Sequence, residues 1–422
     1  MSKQGRATLR LGPGLLTGAC NDDPSSVGTY SQVGAQFGYA LGWTLLFSFP
    51  LLVAVQEISA RVARVSGLGL AGNLRRHCPR WLAAALILLL AAANVFNLAA
   101  DLGAMGAVLR LVVAAPALLY VCLLGAVSVL IEILTRNAHY MRLLRWLSLS
   151  LLSYVICAFL LEVPWREVGY ALVWPAVSAS PAYLLAVLAA LGTTISPYLL
   201  FWQAQQEVEA GPQGSAAPLL ATLERAPAEF RRIRFDTLAG MALSGVVALF
   251  IVITTASTLH ARGIESIQNA AEAAEALRAL GGRFTFGLFA LGIIGAGLLA
   301  LPALSSSSAY AVGELLEWPV GRWHTPPRAR AFHAAILTAT VLAVALNFTP
   351  LDPMRALYVS AVINGVICVP LLGAVMYLAG AERVMGALRV SAGLRVLGWL
   401  TVATLAGSVA AVTIEWLARS GR

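Results

Sequence analysis

Long apolar runs alternate with short polar connections along nearly the whole chain. The runs are about 20 residues long, the length that carries an α-helix across the hydrocarbon of a bilayer. Eleven can be bounded: residues 12–37, 41–61, 82–106, 113–134, 143–162, 183–205, 237–258, 285–312, 332–348, 354–379 and 394–417. The pattern predicts an all-α, polytopic membrane protein, a single transmembrane domain over residues 1–422 with no soluble domain. The longest connections are 206–234, rich in Gly, Pro, Ala and Glu, and 259–284. The second contains ESIQNAAEAAEALRAL, the pattern of a short external amphipathic helix.

Two runs are interrupted. The first carries GACNDDPSSVGTY at 18–30, and the sixth carries GTTISPYLLFWQ at 192–203. Each interruption couples a proline with hydroxyl residues: Pro24 with Ser25 and Ser26, Pro197 with Ser196. Proline removes a backbone donor and clashes with the preceding turn. In lipid the freed carbonyls must find partners, so such breaks persist where they line a site or a water-filled cavity. Either proline alone could simply kink a structural helix. Two breaks at matching places, five spans apart, instead suggest an inverted repeat (12–162 and 183–379, with 394–417 as an additional helix) whose broken helices hold a substrate.

Composition agrees with the hydropathy pattern. The chain is 59% hydrophobic and 12% charged, against about 25% charged residues in soluble domains. A net charge of +9 raises the question of a nucleic-acid partner, but the distribution of the charge fits a membrane better. With the N-terminus inside, 21 of the 29 Lys and Arg residues fall in cytoplasmic segments, as the positive-inside rule requires. The expected location is the cell membrane, a bacterial inner membrane, as a monomer in lipid with the N-terminus cytoplasmic and no cleavable signal peptide. The five cysteines are scattered without a CxxC. They imply neither disulfide framework nor zinc knuckle, and read as small apolar fillers.

A carboxylate inside a span is costly and is by default a functional hypothesis. Candidates are Asp22, Asp23, Glu57, Asp101 and Glu132. Asp22 and Asp23 would point about 100° apart on a helix, and Asp23 precedes Pro24, which biases it toward extended backbone. Asp23 is therefore the better occupant of the unwound point. Carbonyls of residues such as Cys20 and Thr193, with hydroxyls of Ser26 and Ser196, would complete an oxygen-rich, anionic niche. Such a niche suits a cation, carried as substrate; no cofactor is implied. All five histidines fall in loops or at span ends, and no methionine lies at either break. An oxygen-only shell favours hard ions such as Mg²⁺, Ca²⁺ or Mn²⁺. Asn364 and Gln203, at membrane depth, either reach this site or bond between helices. Glu57 has Arg61 as its i+4 partner, Glu132 reads as an inner-interface residue, and Ser305 to Ser308 read as small-residue packing.

At this point the residues resemble a family. LGPGLLTGACNDDPSSVGTYSQVGAQFGY (11–39) is similar to the first span of Nramp divalent-metal transporters, in which GPG is followed by a DPGN break and GAQFGY. QEISARVARVSGLGLAGNLR (56–75) and LFALGIIGAGLLALPALSSSSAYAVGE (288–314) resemble their second and eighth spans. The resemblance implies the five-plus-five inverted repeat, similar to the amino-acid–polyamine–cation superfamily, and Asp23 as the metal-binding aspartate. The departures matter equally. DPGN reads DPSS, so the family's asparagine becomes Ser26. Its metal-binding methionine and following Pro-His read Ser196, Pro197 and Tyr198. The proton-handling DLAE of the third span reads NLAA, with Asn97 and Ala100 in place of both acids, and Asp101 one residue further round the helix. These departures look like the Nramp-related magnesium transporter branch. They imply Mg²⁺ (and Mn²⁺) uptake by alternating access without proton coupling, since a thioether discriminates against hard ions and its loss admits them.

Two other transporters compete with this reading: a proton-coupled Mn²⁺/Fe²⁺ symporter and an amino-acid/cation symporter, whose carboxylate substrate Asp22 and Asp23 would repel. An intramembrane enzyme lacks support. No HExxH occurs, no histidine reaches mid-membrane, and the Asp pair lies on one helix.

Overall fold

The computed structural model describes residues 12–134, 142–144, 146–210, 217–265, 267, 270–321, 329–350 and 352–420. Several basic residues of the orientation argument, among them Lys3, Arg6, Arg10, Arg136, Arg145 and Arg322, lie outside the described residues.

The first span is two helices, α1 (Pro13–Asn21) and α2 (Pro24–Phe37). There follow α3 (Gly42–Ser66), the short α4 (Leu70–His77), α5 (Arg80–Val112) and α6 (Ala117–Leu134). The fifth span ends in α7 (Leu152–Phe159), and a surface helix α8 (Trp165–Val173) precedes the second broken span, α9 (Pro181–Thr194) and α10 (Pro197–Glu209). The remainder is α11 (Ala226–Thr258), α12 (Ala270–Leu315), α13 (Arg330–Leu346), α14 (Pro353–Gly380), the single turn α15 (Glu382–Met385) and α16 (Ala392–Ser420). Among the described residues nine helical stretches are long and apolar enough to cross a membrane. The 17-residue α13 and the broken α1–α2 bring the number to the eleven expected. The protein is a multi-pass, all-helical membrane protein.

Both breaks have the same local form. Asp22 (φ −91°, ψ 52°) and Asp23 (φ −68°, ψ 168°) separate α1 from α2. Ile195 (φ −109°, ψ 67°) and Ser196 (φ −76°, ψ 126°) separate α9 from α10. In each pair the second residue precedes a proline, which excludes it from the α region, and that proline opens the next helix at a position where its missing N–H is harmless. Proline alone does not break a span here: Pro50, Pro302 and Pro370 lie inside the continuous α3, α12 and α14.

The half-helix α1 lies directly on α11. A Cβ at Gly18 would come within 2.0 Å of the Gly240 carbonyl oxygen, and one at Gly240 within 2.1 Å of the Gly14 carbonyl oxygen. The glycines of GPGLLTG thus let two backbones touch, the packing that binds helices together where lipid removes the hydrophobic driving force. At one end of the bundle Asp236 of α11 accepts from the N–H groups of Gly12 (3.1 Å), Gly14 (2.7 Å) and Leu15 (3.3 Å), capping α1. Around it Glu57 pairs with Arg61 as the i+4 spacing predicts, and Arg232 pairs with Glu207 and Glu229.

Two expectations need correction, and one element is new. The 206–234 connection is much shorter, because α10 persists to Glu209 and α11 begins at Ala226, with two single 3₁₀ turns before it. The amphipathic segment is not a separate element: Ala270–Leu315 is one 46-residue helix. The Gly281–Gly282 pair between segment and span is a turn signal, yet with no proline there to remove a backbone donor the helix continues through it. The surface helix α8 was unforeseen, since nine residues are too few to establish a period.

Candidate ion site at the facing breaks

The two breaks face each other. Asp23 caps α2, its Oδ1 accepting from the Ser26 N–H at 2.7 Å and the Ser25 hydroxyl at 3.0 Å. Its Oδ2 accepts from the Tyr198 hydroxyl at 3.1 Å and from the Asn97 amide at 3.2 Å. The Tyr198 hydroxyl also lies 2.7 Å from the Cys20 carbonyl oxygen. Ser26 Oγ donates to the Asn21 carbonyl at 2.6 Å and meets Thr193 Oγ1 at 3.0 Å, linking the two broken spans directly. One turn along α2, Tyr30 reaches Thr194 with a 2.7 Å hydroxyl contact. Asp23 is 1% exposed and Ser26, Thr193 and Tyr198 are 0% exposed, so the niche is closed to solvent.

The fold brings four of the eight residues singled out in the sequence to this point: Asp23, Ser26, Thr193 and, through its carbonyl, Cys20. Ser196 sits at the break with its hydroxyl turned back onto the Thr193 carbonyl at 2.8 Å. Asp22 faces the other way, accepting from Ser244 of α11 at 3.0 Å. Gln203 donates to Thr237 of α11 at 2.7 Å, so it bonds between helices. Asn364 is buried on α14 beside Gly365, whose backbone packs against Gly192 just before Thr193, and its Nδ2 has no hydrogen-bond partner among the described residues.

Two participants, Tyr198 and Asn97, are absent from the sequence-derived candidates, and a third, Asp101, is a candidate whose place beside Asp23 the sequence does not show. Tyr198 was seen only as a replaced histidine, yet it clamps both spans. Asn97 was seen only as a lost acid, yet it donates to Asp23. Asp101 was placed about 100° away from the site's face of α5, yet its Oδ1 accepts from the Ser25 N–H at 2.9 Å. The missed signal was the i, i+4 spacing of Asn97 and Asp101, which puts them on one helical face. Two further readings change. Cys20 and Cys368 are not mere fillers, since their thiols approach the carbonyls of Leu299 (3.6 Å) and Ile195 (3.2 Å), the latter freed by the second break. The serine run does more than pack: Ser305 and Ser306 bond the buried Glu132, Ser307 the Tyr198 carbonyl, and Ser308 the Asn94 amide.

Buried oxygens without donors collect around the first break. Asp22 Oδ2, Asn97 Oδ1 and Asp101 Oδ2 have no hydrogen-bond partner among the described residues. Nor, among those residues, does any ion pair involve Asp23 or Asp101. Among the described residues no group of three or more His, Cys, Asp or Glu side chains is arranged to hold a metal. The arrangement is instead one of hydroxyl, carbonyl, amide and carboxylate oxygens on two interrupted helices.

Comparison with known proteins settles the family. The family described as Nramp, natural resistance-associated macrophage protein-like, matches residues 14–415. The chain belongs to the Nramp family. Nramp proteins are transporters, not enzymes. A relative from Klebsiella pneumoniae (strain 342), the divalent metal cation transporter MntH, is 26% identical over 407 residues, covering 93% of this chain and 91% of the relative. Among solved structures, the fold matches the Eremococcus coleocola manganese transporter in complex with an aromatic bis-isothiourea compound, with a TM-score of 0.73 at 21% identity over 96% of this chain and 87% of that one. It also matches Mhp1, a nucleobase-cation-symport-1 transporter in a closed conformation, with a TM-score of 0.59 at 15% identity, over 97% of this chain and 93% of that one. The Nramp fold of this chain is therefore the five-plus-five inverted repeat with broken first and sixth spans.

Proposed function

We propose that this Nramp protein carries divalent metal cations across a bacterial inner membrane, with Mg²⁺ and Mn²⁺ as its ions. Asp23, Ser26, Thr193 and the Cys20 carbonyl form the binding niche. The observation that carries this reading is the Ser26–Thr193 contact beside Asp23, which joins acceptor oxygens of both breaks in one buried place. The divalent-metal names of its relatives agree with it. Hard oxygen donors and no thioether suit Mg²⁺ and Mn²⁺ above softer ions. Alternating access would open the niche in turn past the Tyr30–Thr194 contact and past the Asp236 cap on α1. The gathering of Arg61, Arg64, Arg75, Arg76 and Arg80 on α3, α4 and the start of α5 supports the N-terminus lying inside.

Transport in this reading is driven by voltage rather than protons. Asn97, Ala100 and Tyr198 stand where proton-coupled relatives carry titrating groups, and none of the three titrates near neutral pH. An inside-negative potential favours entry of a divalent ion by about 4.6 kcal/mol per 100 mV, twice the single-charge value. A proton-coupled symporter is the second reading. It is favoured by one observation, the buried Asp101 at the first break. The test is ion-resolved uptake into proteoliposomes with and without a pH gradient. Saturable Mg²⁺ and Mn²⁺ uptake that follows voltage alone is expected; uptake of neither ion would overturn the assignment.

A further inference from the structure

We infer that α5 supplies a second face of the ion site, in which the Asp101 carboxylate is a ligand of the divalent cation and the Asn97 amide oxygen stands beside it. The inference rests on the divalent-cation reading above and adds two residues from a helix that is not broken.

Ser25 joins the two carboxylates. Its N–H donates to Asp101 Oδ1 at 2.9 Å and its hydroxyl to Asp23 Oδ1 at 3.0 Å. One turn before Asp101 on the same face, Asn97 donates its amide to Asp23 Oδ2 at 3.2 Å. Asp101 is 0% exposed and Asn97 1% exposed, yet Asp101 Oδ2 and Asn97 Oδ1 lack any donor among the described residues. Leaving a buried acceptor unsatisfied is costly, more so for a charged one. Both orphaned atoms are acceptors beside a third acceptor group, and no cationic side chain pairs with either carboxylate among the described residues. A bound cation supplies the positive charge that this arrangement lacks.

Charge sets the valence. One carboxylate on a divalent ion leaves a full positive charge in a buried niche, whereas Asp23 with Asp101 neutralises it. A monovalent ion between the same groups would leave one negative charge uncompensated. The pair also spans two kinds of element: Asp23 belongs to the interrupted first span, and Asp101 to the continuous α5. The cation thus bridges the broken helix to its support.

The experiment uses the full-length protein purified in detergent, with Mg²⁺ and Mn²⁺ binding measured by titration calorimetry and by thermal unfolding. Asp101→Asn keeps an oxygen for the Ser25 N–H and removes the charge, so a capping role alone predicts unchanged binding. A ligand role predicts a Kd for both ions raised by more than the roughly tenfold that loss of an outer-shell partner costs, with metal-free stability equal to or above that of the parent. Asp23→Asn run in parallel abolishes binding if the niche reading is right. Binding by Asp101→Asn within twofold of the parent, while Asp23→Asn binds nothing, overturns the inference and leaves the proposed function standing. A parent protein that binds neither ion overturns the function instead. Should Asp101→Asn fail to fold, Asp101→Glu keeps the charge and displaces it by one methylene. The electron paramagnetic resonance spectrum of bound Mn²⁺ is expected to change in that variant, and an identical spectrum overturns the ligand assignment.

Discussion

The Tyr198 hydroxyl lies 2.7 Å from the Cys20 carbonyl and 3.1 Å from Asp23 Oδ2, so one proton is shared between two acceptors of the first break. Tyr198 is the second residue of the half-helix after the second break, directly following Pro197. It therefore holds the two broken spans together when those acceptors have no cation. A divalent ion that takes either acceptor competes with this hydroxyl for its lone pairs.

Tyr198→Phe is expected to separate the two roles. Losing the buried hydrogen bonds should lower the stability of the metal-free protein by about 1–3 kcal/mol. The ion then no longer competes with this hydroxyl for the Cys20 carbonyl and Asp23 Oδ2, so stabilisation by added Mg²⁺ should exceed that of the parent, by mass action. Thermal unfolding with and without Mg²⁺ checks both signs. A smaller Mg²⁺ shift in the variant would mean that the tyrosine assists binding.

Residue 196 should set ion preference. Its serine hydroxyl is occupied by the Thr193 carbonyl at 2.8 Å and offers no soft atom. Ser196→Met is expected to raise Mn²⁺ and Cd²⁺ transport relative to Mg²⁺, since a thioether favours softer ions. Competition uptake in proteoliposomes measures the ratio, and an unchanged Mg²⁺ to Mn²⁺ ratio would show that residue 196 does not face the ion.

Metal uptake should leave the liposome lumen at its starting pH. Asn97 and Ala100 replace both acids of the family's third-span motif, and a coupled proton needs a group whose affinity changes through the cycle. A trapped pH dye recorded during voltage-driven Mg²⁺ entry tests this directly. Metal-dependent acidification of the lumen would reject the uncoupled mechanism.

The contact of α1 with α11 predicts a steric effect. At Gly18 a Cβ would meet the Gly240 backbone within 2.0 Å, where no side chain can turn aside. Gly18→Val must push α1 off α11, loosening the half-helix that carries Cys20 and leads to Asp23. Uptake is expected to fall severely, with greater labelling of an engineered α1 cysteine by membrane-impermeant thiol reagents. Normal uptake by Gly18→Val would show that α1 moves clear of α11 without consequence.

The sequence by itself determined the membrane class, the eleven spans and the two breaks, because each depends on local rules. A bilayer requires about 20 apolar residues per crossing, and a proline constrains the residue before it. Asp23 could be chosen over Asp22 on that second rule alone, and the structure turns Asp22 toward Ser244. Which side chains of other helices complete the niche was beyond local rules. Asn97, Asp101 and Tyr198 lie 74 to 175 residues from Asp23 or its neighbour Ser25, and their meeting depends on how α5 and α10 are rotated against the break. The same holds for Gln203, whose place at membrane depth was legible but whose direction was not: its amide is spent on Thr237. Periodicity assigns a residue to a face of its own helix. Only the packing of that helix decides which neighbour the face meets, and here that packing is set by backbone contacts such as Gly18 against Gly240 and Gly192 against Gly365.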